Sequence, residues 1–416
     1  MQMLDLKGQS AEQKVLSRLL RRSLLKKRQT WLIWAVSVAV CFSLAIGLWS
    51  FQRLRKLEHK QSDLRSDLKR LKNETLPTHH LGETPVPGKL AGIPFGEDLG
   101  VVLAVKNVNI RNVTAPYNPG LIPSPSGYDL FFRYDLKKSK LKYAPFGSYV
   151  GVVALDRQFQ QTGEEFKKVQ LNTDYADDPR VLFIGDKLYL FCNQLDEKHP
   201  KCRFMSVAHL DPTSYQVKSS ILLDLNLKWV EKNWSPFEYI GEDGKPQLFL
   251  EYQISPRKLL ALPNPEVNEL KQMILPPEEA YLSLHWPKTW GKISGSTPPL
   301  LIDGEYIGFF HSWFVDANQL VWYVMGAYTF DAHPPFSLTR ISKYPLLFKE
   351  IYETPCRHTA SVKKRVIFPS GCVAERQQER TLLHVACGEN DCAIKIVTID
   401  KEALFKTMLE LREKDQ

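Results

Sequence analysis

The 416-residue sequence lacks the compact motifs that most directly mark a metal- or nucleotide-handling centre. It has no Asp-x-Asp pair of the kind metal-dependent nucleotide-sugar transferases use, no glycine-rich phosphate loop and no His-Glu-x-x-His. A Gly-x-Ser-x-Gly elbow is absent too, which removes the serine-hydrolase plan that depends on it. Chemistry without a metal or a cofactor is therefore expected. A charge excess is also missing from most of the chain. Residues 1–72 carry 16 Lys and Arg against 5 Asp and Glu; of the chain's 55 and 46, the rest keeps 39 and 41. The net charge of +9 thus sits at one end, and no nucleic-acid face is implied elsewhere.

One stretch has no charge at all. Between Arg28 and Arg53 the residues are uncharged, and at about 1.5 Å per residue they cover a bilayer core of about 30 Å. Trp31, Trp34 and Trp49 stand where interfacial anchors belong. The run is long, starts late and has no clean small-residue cleavage site, so an uncleaved signal anchor over 30–51 is expected. Residues 1–29 then read as a cytosolic basic tail. Sequons at Asn73 and Asn112 lie past the span. So do six cysteines, Cys192, Cys202, Cys356, Cys372, Cys387 and Cys392, an even number suited to disulfides in an oxidising lumen. The bland reading is chance sequons and buried thiols. Of the pairings, Cys192 with Cys202 is the one expected first, with the other four pairing among themselves. Leu54, Leu57, Leu64, Leu68 and Leu71 keep a heptad register, a short coil able to form a homodimer. It belongs to a stem over 52–99 that ends in a Pro- and Gly-rich linker.

The remaining chain, 100–416, repeats one phrase five times: polar residues, a proline, a short loop, then aromatic and β-branched residues. The prolines are Pro119, Pro179, Pro236, Pro298 and Pro369. A period of about 60 residues with several short strands per unit reads as an all-β domain, a five-bladed β-propeller. Equivalent positions of each unit would then face one axial pit. Helical pieces are expected only at Pro265–Met273 and Lys401–Glu413.

The residues beside those prolines are polar. Asp177-Asp178-Pro179-Arg180 places two carboxylates next to an arginine, which suits proton exchange at a glycosidic oxygen. Asp before Pro also begins ordinary turns. Lys232-Asn233-Trp234 and Lys292-Ile293-Ser294 bring cations to equivalent units, where phosphate or sugar hydroxyls would meet them. His311 ends the fourth phrase and Asp391 the fifth. Tyr117, Trp234, Trp290 and Trp313 are candidate stacking platforms for sugar rings, although aromatics are more often core.

Together these motifs resemble glycoside hydrolase family 130, propellers acting on β-mannosides, whose hallmark is Glu-Asp-Pro-Arg, and the related glycosyltransferase family 108. The matches are Asp177–Arg180, Asn118-Pro119 with Arg133, Lys232-Asn233-Trp234, Gly291–Pro299 with His311, and Phe368–Gly371 with Gly388–Asp391. The resemblance implies Asp178 as catalytic acid/base, with Asn118, Arg133, Arg180, Asn233 and Asp391 around the sugar. It implies Lys292 with His311 near a phosphate or leaving group, and Asp177 and Lys232 complete the substrate-binding candidates. Asp177 stands where the hallmark has Glu, and Glu231 where phosphorylases tend to be basic.

The combined expectation is a Golgi type II membrane protein with a lumenal domain. It would be an inverting glycosyltransferase, taking a nucleotide sugar or sugar phosphate as donor and a glycan as acceptor, with mannose or a similar hexose transferred. The alternatives are a β-mannoside hydrolase or phosphorylase, or a glycan-binding propeller without catalysis.

Overall fold

The computed structural model describes residues 87–136, 146–195, 202–223, 229–280, 284–354 and 364–411. Strand β1 (Val102–Val108) precedes sheet I: β2 (Tyr117–Ser124), β3 (Gly127–Leu136), β4 (Gly147–Leu155) and β5 (Lys167–Lys168). Sheet II is β6 (Ala176–Ile184), β7 (Lys187–Leu195), β8 (Arg203–Leu210) and β9 (Val217–Leu223). Sheet III is β10 (Ser235–Ile240), β11 (Pro246–Gln253), β12 (Lys258–Leu262) and β13 (Lys271–Gln272). Sheet IV is larger, with seven strands: β14 (Ser294–Gly295), β15 (Leu300–Ile302), β16 (Glu305–Val315), β17 (Val321–Asp331), β18 (Leu338–Ser342), β19 (Lys364–Arg365) and β23 (Met408–Glu410). In sheet V, β20 (Ile367–Gln377), β21 (Arg380–Glu389) and β22 (Ala393–Asp400) are completed by β1.

The fold is all-β and propeller-like, as expected, with four sheets of the four-strand form and sheet IV enlarged. Pairing of β1 with β22 joins the two ends of the domain in one sheet, a closure that covers the outer edge of β22. Each sheet's central strand is buried on both faces, as Leu130, Phe131 and Phe132 in β3 and Leu188, Leu190 and Phe191 in β7 illustrate.

In three of the five sheets the repeated proline marks where the first strand breaks its ladder; in β10 the ladder runs on through Pro236, and Pro298 falls between β14 and β15. Registers shift between Tyr117 and Gly120, between Asp177 and Arg180, and between Pro369 and Gly371. Proline donates no hydrogen bond, so it is tolerated at such a bulge. The residue before it turns into the left-handed region at Asn118 (φ 47°) and Asp178 (φ 54°), which Asn and Asp tolerate best. Neighbouring first strands come close there. A Cβ on Gly371 would lie 2.5 Å from the Leu121 nitrogen, and one on Gly120 would lie 3.1 Å from the Pro179 carbonyl oxygen.

Several expectations need correction. The helix expected over Pro265–Met273 is a turn followed by edge strand β13, which pairs with β12. The C-terminal helix α2 (Lys401–Thr407) is capped by Asp400 but stops early, because Met408–Glu410 pairs with β18. The other α-helix among the described residues, α1 (Pro277–Ala280), is a single turn. Residues 87–99, expected as linker, are packed on the domain: Leu90 is buried and Phe95 bridges to Leu347. The expected Cys192–Cys202 disulfide is not formed. Cys192 lies opposite Ser206, four residues beyond Cys202 on the facing strand side, and both are buried thiols. Cys372 and Cys387 are likewise buried thiols, while Cys356 lies outside the described residues.

The Golgi type II placement is also corrected. Among the described residues no helix is long and apolar enough to cross a membrane. The segment 30–51, the heptads of 54–71 and Asn73 lie outside the described residues. Asn112 sits in an exposed turn.

Candidate active site

The bulges of β2 and β6 bring the first group together. Asp178 is reached by Asn118, whose Nδ2 donates to Oδ1 at 2.7 Å, and by Arg133, whose Nη1 lies 3.4 Å from the same oxygen. Arg133 also meets Asp177 at 3.2 Å and Asp135 at 3.4 Å, so one guanidinium spans three carboxylates. Its plane rests on the Tyr117 ring, 4.8 Å from the centroid, and Tyr117 donates to Asp135 at 2.8 Å. Tyr117 is thus a buried support for Arg133 and not an open platform.

Asp177 is held from a second side. Arg203, at the start of β8, pairs with Asp177 and donates to Asn193 Oδ1 at 2.8 Å. Sequence reasoning missed Arg203, which stands in no motif and arrives through the strand pairing of β7 with β8. It missed Asp135 as well, although Asp135 lies two residues from Arg133 and so on the same strand face.

Arg180 is fully buried, and its contacts are all with backbone carbonyls. It donates to Ser296 at 2.5 Å, Asp178 at 3.2 Å and Gly295 at 3.5 Å. It ties β6 to sheet IV and lends its charge to Asp178 through space. Ser296 in turn shares a 2.6 Å hydrogen bond with His311 Nδ1. His311 is buried beside Phe368 and stacks on Tyr323 at 5.8 Å.

These surroundings set the protonation states. Burial pushes the Asp178 carboxyl up, but Arg133, Arg180, the Asn118 hydrogen bond and Lys232 together hold it below the ordinary range. His311 falls to about 3, through burial first and the charges of Arg180 and Lys232 next, so it is a neutral ring. Asp391, by contrast, is pushed up, chiefly by burial and also by Asp178 and Asp135, despite Lys364 at 3.8 Å. The site therefore holds one carboxyl that prefers its charge and another that resists it.

Lys232 is exposed and forms no ion pair among the described residues, yet its charge acts on both Asp178 and His311. Asn233 takes φ 64° beside it, and its carbonyl oxygen packs against Gly295. Glu231 is turned inward, where Tyr252 donates to it at 3.0 Å and the Trp234 indole at 3.3 Å. Its carboxylate is a core anchor and does not stand among the site's cations. Lys292 is the residue the structure does not bring to Asp178. It lines a separate cavity of about 330 Å³ with Ser255, Trp286 and Lys288. A larger cavity of about 570 Å³, lined by Asn107, Glu350 and Lys395, contains none of the expected residues except Cys392. Among the described residues no group of three His, Cys, Asp or Glu could hold a metal ion.

Of the four candidate platforms, Trp234 is buried and Trp290 donates to the Lys89 carbonyl at 2.9 Å. Trp313 alone keeps nearly half its surface, 48 %, exposed.

Comparison with known proteins places this geometry. The family model described as beta-1,4-mannooligosaccharide phosphorylase matches residues 98–410. No curated protein sequence matches the chain. Among solved structures, a GDP-Man-dependent mannosyltransferase from Leishmania mexicana is 14 % identical, with a TM-score of 0.50, covering 73 % of this chain and 92 % of its own. A mannose phosphorylase from the same organism, solved with a phosphate ion, is 17 % identical, with a TM-score of 0.49 and coverage of 77 % and 96 %. The β-1,2-mannobiose phosphorylase from Listeria innocua is 12 % identical, with a TM-score of 0.48 and coverage of 75 % and 98 %. At these identities the likeness is one of fold.

Proposed function

This chain belongs to glycoside hydrolase family 130, and from that premise we propose that it acts on β-mannosides at the pit around Asp178, moving the mannosyl unit to phosphate or water. The five sheets are read as the blades of one propeller, with sheet IV as the enlarged blade. The observation that carries the proposal is Asp178 itself: a carboxylate at a strained bulge, fixed by Asn118 and Arg133, with 17 % of its side chain still open.

In the cleavage direction Asp178 first takes a proton from solvent; the bond from the anomeric carbon to the glycosidic oxygen then breaks, and that proton goes to the departing oxygen. An oxygen of phosphate, or of a water that gives up a proton to solvent, attacks the opposite face of the carbon, which inverts its configuration. Lys232, which forms no ion pair among the described residues and whose charge acts on Asp178, supplies positive charge for the anion. Asn118, Arg133 and Asp391 are assigned to the sugar hydroxyls. Neutral His311 serves as a hydrogen-bonding wall and not as a cation.

One observation favours a second reading, transfer to a glycan acceptor. The free protein holds Asp178 ionised, the form that takes a proton from an acceptor hydroxyl while a mannosyl phosphate or nucleotide donor is consumed. The two readings separate by products. The full chain is incubated with β-1,4- and β-1,2-mannobiose, with and without phosphate, and in parallel with mannose 1-phosphate or GDP-mannose plus mannose. Sugar release from mannobiose supports the first reading and disaccharide synthesis from GDP-mannose alone the second. No turnover of any of these would reject both.

A further inference from the structure

Strand β16 runs on past β14, while β17 is joined at that end by β19 through Val321 and Trp322. The last β16 residue that pairs with β14 is His311, whereas β16 continues to Val315 opposite Val321 in β17. The result is a hairpin whose end stands clear of β14. One of its faces is core: Ser312, Phe314, Trp322 and Val324 are buried. The other face carries His311, Trp313 and Val315 on β16 and Tyr323 on β17, because side chains alternate along a strand.

On that second face the rings form a graded row. Buried His311 stacks on Tyr323 at 5.8 Å and 22°, and Tyr323 stacks on half-exposed Trp313 at 6.5 Å and 23°. The row begins against Phe368 of sheet V, inside the pit, and ends in solvent. Asp178 and Asp391 are both near enough to Tyr323 to act on its phenol, so the row borders the carboxylates of the site. The hairpin is also braced. Lys89 donates to the Val315 carbonyl at 3.0 Å and lies over the Phe314 ring, and Trp290 donates to the Lys89 carbonyl. A rigid half-exposed indole standing next to a polar pit has the chemistry of a hexose platform: its face takes the apolar C–H side of a sugar while Asp391 and Lys364 stand by for hydroxyls.

We propose that Trp313, backed by Tyr323, is a stacking subsite for a hexose ring of the bound glycan beyond the ring held at Asp178. The proposal rests on the β-mannoside reading and adds that longer chains bind better than single units. His311 and Trp313 are two residues apart, about 7 Å along the strand, a separation on the scale of one sugar ring.

The test uses the full chain carrying Asp178→Asn, so that sugars bind without turnover, and titrates methyl β-D-mannoside and β-1,4-mannotetraose. Adding Trp313→Ala should weaken mannotetraose roughly tenfold while changing the single ring less than about twofold, the loss expected for truncating an aromatic anchor. Trp313→Tyr should restore most of the affinity, and an unchanged melting temperature would exclude unfolding as the cause. Equal weakening of both sugars, or none for mannotetraose, overturns the platform while leaving the β-mannoside reading intact. Failure of Asp178→Asn and of the unmodified protein to bind either sugar overturns that reading and the platform with it.

Discussion

Two acid–arginine pairs sit within the same domain and differ in almost every respect that decides function. Glu251 on β11 meets Arg257 at 2.8 Å, and neither side chain has any exposed surface. Tyr328 of sheet IV donates to Glu251, and Arg257 lies over the Phe330 ring at 4.7 Å, so the group ties sheets III and IV together. Burial dominates there and pushes the Glu251 carboxyl up in spite of Arg257. Asp178 is also enclosed, yet three cations and an amide donor outweigh its burial, and its side chain remains partly open. A sealed pair with one cation is a strut. A pair with surplus cations and an opening is a place where a charge can be delivered and a proton exchanged.

Breaking the open pair should remove activity without removing the fold. Asp178→Asn is expected to lower kcat by about 10²- to 10⁴-fold with a cooperative unfolding transition retained and a smaller fall in melting temperature than that of Arg257→Ala, read by steady-state kinetics on mannobiose and by thermal denaturation. Breaking the sealed pair should do the reverse. Arg257→Ala leaves a buried acid without its partner, which costs about 3–5 kcal/mol in denaturant unfolding, while turnover per folded molecule stays near that of the parent. A loss of turnover matching that of Asp178→Asn would erase the distinction between the two pairs.

Smaller effects sharpen it. Lys232→Ala should raise the KM for phosphate roughly tenfold and leave the KM for the sugar nearly unchanged, since the anion loses a charge partner and the uncharged sugar does not. His311 supplies the pH test. Its folded pKa, about 3, lies below the unfolded value near 6.5, so on acidification the unfolded chain takes up a proton that the folded chain refuses. Its contribution to stability is therefore whole above about pH 6.5 and is lost progressively as the pH falls toward about 3. His311→Gln should flatten that part of the stability–pH curve, measured by denaturant titration at several pH values.

Much of the architecture was legible because it is written locally. The recurring prolines, every 60 residues or so, mark the start of each sheet, and at Pro119, Pro179 and Pro369 they mark a bulge. The enlarged sheet IV was not legible, since β19 and β23 join it from distant parts of the chain. The core of the site could be read from Asn118, Asp177 and Asp178, whose side chains leave the bulges themselves. Arg203 could not, because only strand pairing carries it to Asp177. Lys292 shows the opposite failure: its place in the repeat suggested the pit, but the chain before β14 turns it into the cavity beside Trp286. The thiols misled in the same way, since cysteine count says nothing about register.

The central claim, that Asp178 exchanges the proton in an inverting β-mannoside reaction, is tested most directly by following the intact chain on β-1,4-mannobiose in phosphate buffer by proton NMR. The account predicts a first-formed product of α configuration, with its rate lost in Asp178→Asn. A β-configured first product, or undiminished release by Asp178→Asn, would contradict it.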